Sequence, residues 1–210
     1  MMYINRITNS PVSSNCFVIH TDNTNSCIIV DPGSEFDSNI IEYLNEKKLV
    51  PEYIILTHEH FDHIWSTPLL IQKFKVKVIC SNKCGERIID KKKNMSLFYN
   101  QIGFELEKPD LIVKSLDVLI WNSVDFTFLE TPGHTDSSIS ILAENNLLVG
   151  DLMIYGHKTV TKLPSGNKID VINSLKLIYE LVKDNTIVVY PGHGDIFELN
   201  NTSKENFIYE

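Results

Sequence analysis

The sequence predicts an α+β fold, with two sheets packed face to face and helices outside, in a single domain over residues 1–210. Three observations carry this expectation. Short apolar runs of strand length recur in both halves of the chain, and amphipathic helical patterns lie between and after them. The 210 residues, 43% hydrophobic and 22% charged, suit one compact domain better than two.

The elements follow in order. Residues 16–19 and 27–30 are apolar and flank the polar stretch 21–25, the pattern of a β-hairpin. Asp31-Pro32-Gly33 ends the second strand. Phe36, Ile40, Ile41 and Leu44 then mark one face of a helix, with Ser34 or Asp37 as candidate caps. Residues 53–56 read as a short buried strand. Residues 64–74 read as a helix whose start Pro68 restricts. A strand over 76–80 and a helix over 81–90 come next. Residues 94–110 are irregular and hold Phe98, Tyr99 and Phe104, either as a lid or as a simple loop. A second β-rich stretch covers 111–113, 118–121, 124–130, 138–142 and 147–150. An amphipathic helix over 170–183 places Val171, Leu175, Ile178 and Val182 on one face, and a buried strand over 187–190 ends in Pro191-Gly192-His193-Gly194.

Composition excludes several functions. A formal net charge of −8 argues against a general nucleic-acid surface, which needs a basic patch. No apolar run approaches the roughly 20 residues that span a bilayer. The first eleven residues hold one Arg and no apolar core, unlike a secretory signal, so a cytoplasmic location with Cys16, Cys27, Cys80 and Cys84 reduced is expected. Cys80 and Cys84 lack a second pair with zinc-site spacing and are read as structural.

The chemistry concentrates in Thr57-His58-Glu59-His60-Phe61-Asp62-His63, where four metal-ligand side chains follow a buried strand. His58 and His60 are two apart, so an extended backbone points both the same way. Asp62 and His63 are adjacent, so the same reasoning points them apart and suggests two metal sites. Three more candidates stand at strand ends in glycine-bearing turns: His134 in Pro132-Gly133-His134, Asp151 after Gly150, and His193 in Gly192-His193-Gly194. A strand end fixes the backbone while the side chain faces outward.

These motifs, His-x-His-x-Asp-His at 58–63 and then His134, Asp151 and His193, resemble the metallo-β-lactamase-fold hydrolase superfamily, in its order and over about 14–194. Val30-Asp31-Pro32-Gly33 and Leu148-Val149-Gly150-Asp151 also look like family segments. Within the superfamily the chain is most similar to compact, glyoxalase II-like (hydroxyacylglutathione hydrolase-like) enzymes. The resemblance implies a four-layer αββα sandwich of two mixed sheets. It implies that His58, His60 and His134 hold one divalent ion, that Asp62, His63 and His193 hold a second, and that Asp151 bridges both. Zinc is the expected metal, with iron or manganese as alternatives. It further implies that a metal-bridging hydroxide cleaves a thioester, ester, lactone or amide of a small molecule, with Asp62 as a catalytic residue orienting that hydroxide.

The match departs from the family in places. Ile64-Trp65-Ser66 follows His63 where many relatives have small residues; Trp65 either packs beneath the metal loop or lines the substrate pocket. The Arg and Asp common after the bridging Asp are missing from Thr159-Val160-Thr161-Lys162. Lys158 and Lys162 flank that stretch and are candidate anion contacts, while His157 and Tyr99 are further candidate substrate contacts. The chain ends 17 residues after His193, so the C-terminal helical region of glyoxalase II is expected to be absent. His20 is expected to be structural. The alternative activity is that of a mononuclear-iron oxidoreductase resembling persulfide dioxygenases, using His58, His134 and Asp151 or a similar subset.

Overall fold

The computed structural model describes residues 1–36, 38–181 and 185–201. The chain divides into two compact units, Met1–Val113 and Lys114–Glu210.

The first unit is built on a six-stranded sheet in chain order: β1 (Met2–Thr8), β2 (Asn15–Thr21), β3 (Ser26–Val30), β4 (Val50–Ile55), β5 (Lys77–Ser81) and β6 (Leu111–Val113). β1, β2 and β3 pair antiparallel, and β3 through β6 pair parallel. The expected hairpin is β2–β3. Helices supply the parallel crossovers: α1 (Ser38–Lys47), α2 (Phe61–Ile64) with α3 (Thr67–Phe74), then α4 (Asn82–Ile88) and α5 (Ser96–Asn100). Every residue of β3 is buried, as expected of an inner strand covered on both faces. Ile29, Ile40, Leu44, Ile54, Leu56, Leu70, Cys80 and Cys84 belong to one apolar core between sheet and helices.

Four expectations are corrected in this unit. Phe36 lies ahead of α1 and is 74% exposed, so it is no part of the helix face. Ser34 is not a cap; its hydroxyl donates to Asn9 Oδ1 and accepts from the Ser10 N–H. The other candidate cap, Asp37, lies outside the described residues. The helix over 64–74 is two helices, because Pro68 sits in the first turn of α3 and the chain turns at Trp65-Ser66. Residues 111–113, read with the second β-rich stretch, complete the first sheet as β6, parallel to β5.

The second unit carries another six-stranded sheet, β7 (Val118–Trp121), β8 (Val124–Glu130), β9 (Ile139–Ala143), β10 (Asn146–Gly150), β11 (Ile187–Pro191) and β12 (Phe197–Leu199). All neighbours are antiparallel except β10 and β11, whose crossover is α6 (Lys168–Leu181). Asn167 opens α6 by accepting from the Ile169 and Asp170 N–H groups. Val171, Leu175 and Ile178 enter the core with Leu147, Val149 and Val189, as their spacing predicts. Val182 and Lys183 of the expected helix lie outside the described residues.

Two mixed sheets with helices make this an α+β chain, as predicted. All four cysteines are free thiols and buried. Among the described residues no helix is long and apolar enough to cross a membrane.

Candidate functional site

In the first unit the parallel register of β3 and β4 sets Val30 opposite Ile55, and the Asp31 N–H donates to the Ile55 carbonyl. Asp31 therefore leaves β3 beside Thr57 and His58 as they leave β4. One Asp31 carboxylate oxygen accepts from the Thr57 N–H at 2.8 Å. The other accepts from the Thr57 hydroxyl at 2.6 Å and faces His63 Nδ1 at 3.1 Å. Thr57 Oγ1 also meets His58 Nδ1 at 3.0 Å.

These contacts assign the tautomers. A carboxylate only accepts, so His63 Nδ1 carries the proton it shares with Asp31. Thr57 has a single hydroxyl proton and gives it to Asp31, so toward His58 it accepts, and His58 Nδ1 also carries a proton. In both rings Nε2 is then the lone-pair nitrogen, the form in which imidazole binds metal. One ligand atom each from Asp31, His58 and His63 lies within 4.8 Å of the others. Asp31 is committed to orienting its neighbours, the usual task of a carboxylate behind a metal-binding histidine. Sequence reading quoted Asp31 only as part of a family segment; its positive φ of 53° at a strand end is a local strain of the kind stored at functional sites.

His58 and His60 do lie together, with ring centroids 4.7 Å apart, and His58 and His63 are 4.3 Å apart. Asp62 and His63 do not point apart. They lie in the helical turn α2, where successive side chains diverge by about 100° rather than 180°. Asp62 Oδ2 comes within 3.7 Å of His63 Nε2. Glu59, between the two histidines, is buried and ion-paired to Arg87 of α4 at 2.9 Å. Its place among ligand residues gave no hint of this structural partner.

In the second unit β10 and β11 end side by side. The Gly192 N–H donates to the Gly150 carbonyl at 2.6 Å, setting Asp151 and His193 next to each other. Asp151 Oδ2 lies 3.6 Å from His193 Nε2 and 3.4 Å from His134 Nε2. Two ligands bound at 2.0–2.1 Å with a tetrahedral angle stand about 3.4 Å apart, so these spacings suit a shared ion. His134 Nδ1 faces the Val160 carbonyl at 2.9 Å. A carbonyl only accepts, so this histidine too carries its proton on Nδ1 and its lone pair on Nε2. Gly133 makes the turn before His134 possible: its φ is +149°, and a Cβ there would lie 2.4 Å from the Val171 side chain.

The candidate substrate contacts are placed less closely. His157, Lys158 and Lys162 are exposed. His157 bridges to Ile154 in a turn. Within 157–162 the groups tied into the fold include the Val160 carbonyl and the Thr159 hydroxyl, which donates to the Leu152 carbonyl. In the first unit Trp65 is half-buried and Tyr99 is 45% exposed, both in a ring cluster with Phe61 and Phe104. His20 stacks on Tyr3 and meets Asn5, as a structural residue would.

A profile of the Metallo-beta-lactamase superfamily matches residues 9–193. The chain belongs to this superfamily. Among its relatives the member is 32% identical to "Probable metallo-hydrolase MJ0888" of Methanocaldococcus jannaschii, over 80% of this chain and 83% of that protein. It is 26% identical to "Hydroxyacylglutathione hydrolase GloC" of Haemophilus influenzae, over 98% and 97%. Its backbone matches the crystal structure of BLEG-1 B3 metallo-beta-lactamase with a TM-score of 0.88 at 26% identity, over 97% of this chain and 98% of that one. ETHE1 from Myxococcus xanthus (0.77, 22%, over 97% and 82%) and TTHA1623 in a di-iron-bound form (0.81, 20%, over 97% and 98%) share the fold. The superfamily member therefore has the metallo-β-lactamase fold, and its His and Asp clusters suit metal ions.

Proposed function

We propose that this protein is a binuclear metal-dependent hydrolase of the glyoxalase II-like type, acting in the cytoplasm on a thioester, ester, lactone or amide of a small molecule. The observation that carries the reading is the shared tautomer of His58, His63 and His134. Three hydrogen-bond acceptors fix a proton on each Nδ1, which commits each Nε2 as a donor atom. His58, His60 and His134 would hold one divalent ion and Asp62, His63 and His193 the other, with Asp151 shared. An all-nitrogen-and-oxygen donor set suits zinc, iron or manganese; zinc is our first choice. Bound there, divalent ions would supply a water nucleophile active near neutral pH and polarise the scissile carbonyl.

The chain's own groups do the rest. Asp31, Thr57 and the Val160 carbonyl each hold their own imidazole in place with a proton on Nδ1. Asp62 sits at the start of α2 with its carboxylate toward His63 Nε2, where it can accept a proton from the attacking water. The carboxylate of Asp151, set between two histidines, offsets positive charge gathered there. Buried, free cysteines support the cytoplasmic assignment.

The test is a metal analysis of protein purified without added metal, followed by a panel of thioesters, lactones and phosphoesters. Two ions per chain and carbonyl-ester turnover are expected, with His58→Ala and Asp151→Ala abolishing turnover while keeping the wild-type circular dichroism. The fold shared with ETHE1 keeps one rival reading: a single iron per chain with oxygen consumption would replace the hydrolase by an oxidoreductase. Full activity in a metal-free His58→Ala protein would remove both.

A further inference from the structure

We propose that Phe61, Trp65 and Tyr99 form a fixed aromatic platform that selects substrates whose acyl group carries a flat aromatic ring. The proposal rests on the hydrolase reading above and names the substrate class within it.

The rings form one continuous set. Trp65 stacks on Phe104 at 5.5 Å and meets Phe61 edge-on at 5.5 Å. Tyr99 lies 4.7 Å from Phe61 and 5.5 Å from Trp65. Phe61 stands between two ligand candidates, His60 and Asp62, so the platform begins within the ligand segment itself.

The segment that brings Tyr99 there is tied down and does not behave as a loose cover. Asn94 is fully buried; its amide donates to the Ile88 and Phe104 carbonyls and its Oδ1 accepts from the Ser96 N–H. Ser96 Oγ accepts from the Phe104 N–H at 2.9 Å, closing the segment at its far end. The Phe61 N–H donates to the Asn94 carbonyl at 2.9 Å, which joins the segment to the ligand residues. Held this firmly, Tyr99 remains 45% exposed and its neighbour Phe98 69%. Core rings would be covered; exposed rings on a pinned backbone present a surface to something else. Through Phe61, which packs against Tyr99 and lies between His60 and Asp62 in the chain, the platform would serve as a wall for the group next to a scissile bond. Ring-on-ring contact in offset or edge geometry favours an aryl group over a methyl.

The experiment uses zinc-loaded protein and two thioesters of N-acetylcysteamine, phenylacetyl and acetyl. Wild type is expected to favour phenylacetyl in kcat/KM by roughly tenfold or more. Tyr99→Ala is expected to collapse that ratio through KM, and Tyr99→Phe to retain it. In parallel, phenylacetate binding is measured by calorimetry, which needs no turnover; it should saturate in wild type and weaken in Tyr99→Ala. If neither thioester is cleaved while phenylacetate binds through Tyr99, the hydrolase reading falls and the platform stands. An unchanged ratio with unchanged phenylacetate binding in Tyr99→Ala overturns the platform and leaves the hydrolase. A concentration-dependent dimer in sedimentation that Tyr99→Ala dissolves also overturns it, because the rings would then be covered by a second copy.

Discussion

A single methyl group decides the fate of the Asp62 carbonyl. A Cβ on Gly33 would fall 1.5 Å from that oxygen, which the backbone cannot tolerate without moving. The same carbonyl accepts the Ser14 hydroxyl, and Asn9 joins Ser14 to the Asp31 carbonyl. Gly33→Ala should therefore cost on the order of 1–3 kcal/mol or more and lower metal content; thermal melts and metal analysis of the purified variant check both. Asp31→Asn is subtler. Asn tolerates the positive φ at this position, so the backbone should hold. It loses the charge behind His63, and metal affinity measured by competition with a chromophoric chelator should fall about 10–100-fold. At this scale the sequence displayed the donor atoms well, because histidines at strand ends next to glycines are visible as letters. It hid the atoms behind them. Asp31 became legible as an orienting group only once parallel pairing set it beside Thr57.

Among the elements, the turn after β4 is braced from outside by α4. The Glu59–Arg87 pair is buried at the carboxylate, and removing one partner leaves a charge uncompensated. Arg87→Met should destabilise the fold by roughly 3–5 kcal/mol, whereas Arg87→Met with Glu59→Leu should recover much of the loss, as urea denaturation of the single and double variants would show. Most strands were legible because short apolar runs bounded by polar turns have few other outcomes. β1 was missed because it holds no apolar run: its partly buried residues Met2, Ile4, Asn5 and Ile7 are interrupted by exposed Tyr3 and Arg6. β12 is three residues long and, among the described residues, pairs with β11 alone, too little for a pattern. α5 was missed because side-chain bonds from Asn94 and Ser96 fix its segment, and hydrophobic periodicity does not. β6 was assigned to the wrong group for a different reason: nearness in sequence suggested the strands that follow it, while the crossover through α4 and α5 returned it to β5.

For the molecule as a whole, four cysteines lie in the interior of the first unit. Burial raises three of these thiols, Cys16 and Cys84 well above the ordinary range and Cys27 to about 12. A raised folded-state pKa gives stability that is complete below the unfolded value, about 8.5, and is lost as pH rises toward the folded value. Stability should accordingly be flat near neutrality and decline from about pH 8.5 upward. Iodoacetamide at pH 8 should label no cysteine in the native protein and all four after denaturation. Chelation tests the proposed centre on the same scale. Loss of each ion bound at a thousandfold excess over Kd removes about 4 kcal/mol, or about 8–16 °C in Tm for a chain of this length. The division into two sheets was readable from the order of the elements; the chemistry that backs each ligand was not. That backing differs between the units, with a carboxylate behind His63 and a main-chain carbonyl behind His134. Descent treats the two unequally. Asp31 can be erased by one base change, and the carboxylate behind His63 goes with it. The carbonyl of residue 160 survives almost any replacement of its side chain, so lineages can drift at that position, altering the surface while His134 keeps its orientation.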